Sequence, residues 1–261
     1  LNEMVFRRLT ASRGEKLETS VQQLAAENGL ELLRVVAYDA EKTPVAERYI
    51  LRKAGALPDQ IRIQLVGDED WLALKESAAT PSAEKLLAAA AARFKSASLE
   101  QDVREGRVEY VLYSPPAAGE WTLNPDPVER NHLARRALLI GDTLASIQVH
   151  DLVRLLATLP ERSVNAKMKI TARGDLAGVA LYASLYAEQP LELELGALPS
   201  SHMKGPILIN VLRGLDVPES VALAAEKHTV RIHGVSEGDF AYPLAVQKKL
   251  GWKAQQLQIT P

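Results

Sequence analysis

Five residues, Ala172-Arg173-Gly174-Asp175-Leu176, have the spacing of G-x-S-x-G, the strand-to-helix turn that lifts a nucleophile above a sheet for acyl transfer. In register, Ala172 takes the place of the first glycine, Gly174 that of the nucleophile and Leu176 that of the last glycine. Covalent catalysis needs a hydroxyl, thiol or carboxylate at the middle position, and Gly174 has no side chain. Asp175 is the nearest acid. It caps the following helix, where a carboxylate meets unpaired N–H groups, or it stands as a nucleophile beside the vacant place.

Other residue types capable of chemistry are spread along the chain. Ser200-Ser201-His202 follows a strand-like run. Neighbouring Ser and His side chains diverge, so the pair reads as loop structure, with the lining of a pocket by Ser201 and His202 as the alternative. Trp71, Tyr113 and Trp121 lie in or beside expected loops. There they either stack on a sugar ring or cover the core. Asp68-Glu69-Asp70 is an acidic run after Gly67. It is read as a surface loop, since hard cations need more oxygen ligands than it supplies. His150-Asp151 is read as surface or helix packing. The five His residues are scattered, with no pair at metal-ligand spacing, so no metal or cofactor is expected.

The elements that must position these groups follow from periodicity. Glu15–Asn28 has apolar positions Leu17, Val21, Leu24 and Ala25 ahead of Gly29, which predicts a helix ending there. Glu31–Tyr38 and Val45–Arg52 are β-rich and predict an antiparallel pair. Gln60–Val66, Val108–Tyr113, Lys167–Thr171, Leu191–Leu195, His228–His233 and Gln256–Thr260 predict strands. Between them, Ser82–Phe94, Val128–Leu159, Gly178–Tyr186, Ile207–Leu212, Pro218–Ala225 and Leu244–Leu250 predict helices, with a break at Gly141-Asp142. Alternating strands and helices imply a three-layer α/β/α sandwich with a mostly parallel central sheet and an antiparallel N-terminal edge. The expected division is an N-terminal helical extension over 1–30 and an α/β domain over 31–261.

Bulk properties remove several classes. The chain has 261 residues, 47% hydrophobic and 25% charged, with a formal net charge of −2. No polyanion such as nucleic acid is implied as a partner. The absence of cysteine excludes disulfides and thiolate metal sites. No apolar run approaches the roughly 20 residues needed to span a bilayer, and no signal peptide is visible. The chain opens at Leu1 rather than Met, which suggests a mature form or a piece of a longer protein.

Three phrases carry a family resemblance: Leu138–Arg154, Ala177–Leu185 and Gly205–Arg213. With the order of elements, they resemble the α/β-hydrolase superfamily, and within it bacterial acetylxylan-esterase-like and dienelactone-hydrolase-like proteins. The resemblance implies a triad in the order nucleophile, acid, His. Gly174 then stands at the nucleophile position. Glu237 or Asp239 is a relic of the acid or part of a solvated turn. No His follows His233, so the His position is expected to be empty as well. Gly67 would lie in the loop that supplies an oxyanion hole, but three carboxylates beside it would oppose a developing negative charge. The family members implied are carbohydrate esterases, some with tandem domains. The expected function is a non-catalytic accessory or oligomerisation domain of an esterase, with an upstream esterase domain or another copy as partner. The alternatives are a working carbohydrate or small-ester hydrolase with an unusual site, and a module that binds a carbohydrate ester. Secreted or periplasmic localisation is the family's implication.

Overall fold

A computed structural model of the chain describes residues 5–6, 17–42, 44–78, 82–115, 126–159 and 166–261. Among the described residues nine strands occur: β1 (Glu18–Glu27), β2 (Leu30–Tyr38), β3 (Pro44–Lys53), β4 (Gln60–Leu65), β5 (Val108–Tyr113), β6 (Lys167–Arg173), β7 (Leu191–Gly196), β8 (Thr229–His233) and β9 (Leu257–Thr260). The described α-helices are α1 (Asp68–Ala78), α2 (Ala83–Arg93), α3 (Leu99–Arg104), α4 (Pro127–Leu139), α5 (Leu144–Thr158), α6 (Asp175–Ser184), α7 (Val217–Lys227) and α8 (Ala241–Leu250). The strand order is β1-β2-β3-β5-β4-β6-β7-β8-β9. This is the expected mainly parallel sheet with an antiparallel N-terminal edge.

The chain divides into two compact units, one of Lys16–Ser114 with Thr158–Met168, the other of Leu1–Glu15, Pro115–Ala157 and Lys169–Pro261. In the first, β1, β2 and β3 pair antiparallel, β3 pairs antiparallel with β5, and β5 pairs parallel with β4. All six residues of β5 are buried, as befits a strand covered on both faces. An ionic cluster closes this unit's helical layer: Asp102 accepts from Arg107 Nη2 at 2.6 Å and from Ser98 Oγ at 2.8 Å, with Arg62 Nη2 2.8 Å away. Burial pushes the Asp102 carboxyl up, but these partners outweigh it and hold it below the usual range.

In the second unit, β7, β8 and β9 pair parallel. Leu193, Leu195, Val230 and Ile232 are buried along them, alternating with half-buried Glu192, Glu194, Arg231 and His233. Helix α6 packs on β7, α7 on β8 and on α6, and α8 on α7. His228, at the end of α7, is buried. Its Nδ1 accepts from Leu191 N–H at 3.1 Å, and its Nε2–H donates to the Ser184 carbonyl at 2.8 Å. This leaves the ring neutral. Burial pushes its pKa below the ordinary value, the Ser184 bond acting weakly the other way.

Three expectations are corrected. The helix expected over Glu15–Asn28 is, in its described part, strand β1, paired with β2 from Glu18↔Tyr38 to Glu27↔Leu30. Asn28 (φ 50°) and Gly29 (φ 77°) form a two-residue hairpin turn, both in the positive-φ region that matches strand twist. Pairing with β2 overrides the helical propensity of residues 18–27. Second, Gly67–Trp71 is not a loop: Gly67 O accepts from Trp71 N–H at 2.8 Å, and α1 begins at Asp68. Acidic residues suit that first turn because its N–H groups are unpaired. Third, Ile207–Leu212 is irregular apart from a 3-10 turn at Val211–Arg213, since Asn210 takes a left-handed conformation (φ 63°). The break expected at Gly141-Asp142 is present: Val128–Leu159 holds two helices, α4 and α5, separated at 140–143.

Two measurements check this account. Gly29→Ala is expected to lower stability to urea by about 1 kcal/mol, because the turn needs a residue free at positive φ; unchanged stability would mean the hairpin turn is misassigned. The His228 ring is charged in the unfolded chain below about pH 6.5 but held neutral in the fold. Stability is therefore complete above that pH and falls as pH drops below it. Between pH 7.5 and 5.5, the melting temperature of the parent chain should decline more steeply than that of His228→Gln; equal slopes would remove His228 as the cause.

Candidate functional site

The turn at Gly174 is built as the spacing suggests. β6 ends at Arg173, Gly174 has φ 58° and ψ −132°, and α6 starts at Asp175. No loop residue intervenes. Gly174 N–H donates to Gly196 O at 2.9 Å, and Ala197 N–H donates to His233 O at 2.8 Å, so the C-terminal ends of β6, β7 and β8 are tied side by side. A Cβ on Gly196 would lie 2.9 Å from both Arg173 Cγ and His233 Nε2. Those two side chains therefore meet over Gly196, which can carry none of its own. A Cβ on Gly174, by contrast, would meet nothing within 4 Å. The space a side chain at this turn would enter is open.

The other sequence candidates go elsewhere. Asp175 is exposed and forms the first residue of α6, after an N-cap with no side-chain hydrogen bond. Glu237 and Asp239 are exposed in a 3-10 turn (Glu237–Phe240) that buried Phe240 anchors and Ser236 caps. Gly67 is the N-terminal cap of α1, and Asp70 is committed to Arg93, whose Nε donates at 2.6 Å. Trp71 and Tyr113, read as loop aromatics, are buried; Trp71 lies on the first turns of α1 with its ring 5.2 Å from that of Tyr49, and Tyr113 ends β5. Both cover core. Trp121 lies outside the described residues. His150 and Asp151 are buried on α5, 3.4 Å apart. Among the described residues, no group of acidic, His or Cys side chains is arranged to hold a metal ion.

Ser201 and His202 sit in a polar network of the second unit. Ser201 Oγ donates to Asp216 Oδ2 at 2.6 Å, and His202 N–H donates to Asp216 Oδ1 at 2.8 Å. The same carboxylate accepts from Val217 N–H at 2.8 Å, and Glu219 completes the capping box of α7. Burial pushes Asp216 up, but the bonds from Ser201, His202 and Val217 outweigh it and hold the carboxyl below its usual range. On the imidazole, Nδ1–H donates to Pro206 O at 2.8 Å, which leaves Nε2 to accept from Tyr182 O–H at 2.7 Å. Ser220 Oγ lies 2.8 Å from the same phenol. Burial pushes the Tyr182 pKa up to about 12. Ser201 thus gives its proton to a capping carboxylate and His202 faces a phenol, so the two do not form a nucleophile–base pair. Asp216, Tyr182, Pro206 and Ser220 escaped the sequence reading, although Asp216-Val-Pro-Glu219 has the legible form of a helix start.

Solved structures share this fold. A protein of Bacteroides fragilis NCTC 9343 assigned as an acetyl xylan esterase matches with a TM-score of 0.66 at 13% identity, over 98% of this chain and 72% of that one. A glucuronoyl esterase from Solibacter usitatus matches with 0.57 at 14%, over 90% and 74%. The acetyl xylan esterase of Paenibacillus sp. R4 matches with 0.55 at 13%, over 97% and 85%. At such identities the likeness establishes the fold, which is of the α/β-hydrolase type. No family model and no curated protein matches the chain.

The geometry at Gly174 yields one prediction. Gly174→Ser should fold, because the added Cβ meets open space, but lose about 1–3 kcal/mol, the cost of holding a non-glycine residue in a sparsely populated backbone region. Urea denaturation of both chains checks it. A variant as stable as the parent would show that the turn relaxes to ordinary φ.

Proposed function

We propose that this chain is an α/β-hydrolase-type domain that does not cleave esters itself and serves as an accessory or oligomerisation domain of an esterase. The observation that carries the reading is Gly174 at the nucleophile position of an otherwise intact strand-to-helix turn. Loss of the nucleophile removes the covalent step, and no positioning of acid or base replaces it. The nearby imidazole, His233, has its Nε2 packed over Gly196 beside Arg173. The folds of acetyl xylan and glucuronoyl esterases support an esterase lineage. A module that binds a carbohydrate ester without cleaving it is the second reading, favoured by the open space at Gly174.

The test is hydrolysis of p-nitrophenyl acetate by the purified chain, with a fluorescent phosphonate that labels active serines. Neither turnover nor labelling is expected, for the parent or for Gly174→Ser. Stoichiometric labelling of Ser200 or Ser201 would falsify the proposal and move the active site to that loop.

A further inference from the structure

Helix α4 ends on Leu138 and Leu139, and Ile140 is its C-cap. These three residues are 50%, 86% and 65% exposed. Among the described residues, three consecutive large apolar side chains are exposed nowhere else. The corner that carries them is fixed by its backbone. Gly141 N–H donates to Leu138 O at 3.1 Å, and Asp142 N–H donates to Ala137 O at 2.9 Å. Ala137, Asp142, Thr143 and Ser146, which flank the three in sequence, are buried. Thr143 N–H donates to Ser146 Oγ at 2.8 Å and Ser146 N–H to Thr143 Oγ1 at 3.0 Å, so α5 starts from a closed cap. A hydrogen-bonded turn, not a fraying end, therefore presents the apolar side chains to solvent. All of it lies in the second unit.

Two features say what this tip fits. Successive helical residues are turned by about 100°, so Leu138, Leu139 and Ile140 fan out over roughly 200°. One flat face of a protein cannot seat all three, whereas a fluid apolar phase takes them at once. The charge is the second feature. Arg135 and Arg136 are exposed, and from Asn131 to Gly141 there is no Asp or Glu, in a chain whose net charge is −2. The arginines stand four and three residues before Leu139, about 5 Å back along the helix axis. Apolar side chains enter the headgroup region of a bilayer over a similar depth, roughly 5–10 Å, which sets the guanidinium groups level with lipid phosphates. A second copy would bring the same arginines against these, so self-association through the tip is opposed. We propose that the end of α4 is a contact site for an anionic lipid surface. Leu138, Leu139 and Ile140 enter the outer leaflet region, and Arg135 and Arg136 meet the phosphates. Among the described residues no helix is long and apolar enough to cross a membrane, so the contact is peripheral. The inference does not rest on the reading of Gly174.

The experiment uses the full chain, sedimented with vesicles of phosphatidylcholine alone or mixed with phosphatidylglycerol in roughly equal amounts. Co-sedimentation is expected with the mixed vesicles, falling as salt is raised. Arg135→Glu with Arg136→Glu should weaken it about tenfold or more. Leu139→Ser with Ile140→Ser should abolish it. Neither pair should move the melting temperature, because the altered side chains are exposed. Since the chain has no cysteine, Leu139→Cys allows a polarity-sensitive dye to be attached at that site alone. Its emission should shift to the blue on mixed vesicles, while the same dye at Leu57→Cys, 82% exposed in the first unit, should not respond. No binding to mixed vesicles, equal binding to phosphatidylcholine alone, indifference to either double substitution, or a silent dye at Leu139→Cys would each overturn the proposal. So would a dimer that Leu139→Ser with Ile140→Ser dissociates in a chain that ignores vesicles, which would assign the tip to a second copy.

Discussion

β6 passes into α6 through a single residue, and that residue sits outside the backbone region that ordinary side chains occupy. Gly174 is that residue. Its amide is spent on Gly196 O, which brings β7 against β6 at their C-terminal ends. The helix it starts, α6, is buried from Ala177 to Ser184 and can lie close to β7 because its residues are small. Then α7 packs on α6 and α8 on α7, so these three helices follow one another from that turn. In an active enzyme the same turn is made by a residue with a side chain, held under strain. Glycine makes it at lower cost, because it populates this region freely.

The Ser201–His202 network shows polar side chains committed to holding a loop in place. Each proton has one clear destination: hydroxyl to carboxylate, imidazole to carbonyl, phenol to imidazole. The carboxylate serves loop and helix at once, since Asp216 caps α7 while holding Ser201 and the His202 amide. Such a network fixes the loop between β7 and α7 rather than preparing a group for attack. An activated nucleophile requires a base that accepts its proton, and here the acceptor beside the serine is the acid that belongs to the helix.

How far the fold could be read from the sequence depended on whether local and tertiary preferences agreed. β5 was legible because Val108–Tyr113 is uniformly β-forming and lies wholly in the core. The turn at Gly174 was legible from a glycine between an extended run and a small-residue helix. β1 was misread because residues 18–27 favour a helix, and only pairing with β2 makes them extended; the Asn28-Gly29 dipeptide was the signal that could have corrected this. Trp71 was placed in a loop because the acidic run before it looked like a surface turn. Those charges instead open α1, and the indole covers Tyr49. For the candidate site, the turn at Gly174 could be read directly. The partners of Ser201 and His202 could not, since they come from α6, α7 and a carbonyl in the intervening loop, which only the fold brings together.

The division of the chain has a consequence for how it can be assembled. The first unit is not contiguous: it takes Lys16–Ser114 and then Thr158–Met168, after the chain has passed through part of the other unit. The amide of Lys167 donates to Asp59 O at 2.9 Å, closing this unit across an excursion that includes α4 and α5. A ribosome must therefore deliver the strand β6 before the earlier unit has all its backbone partners, and the loop closed is long enough to slow that step. Neither unit can be cut out as a continuous stretch of sequence. Anyone dividing this protein for expression must carry both units together or join the separated segments by a new linker.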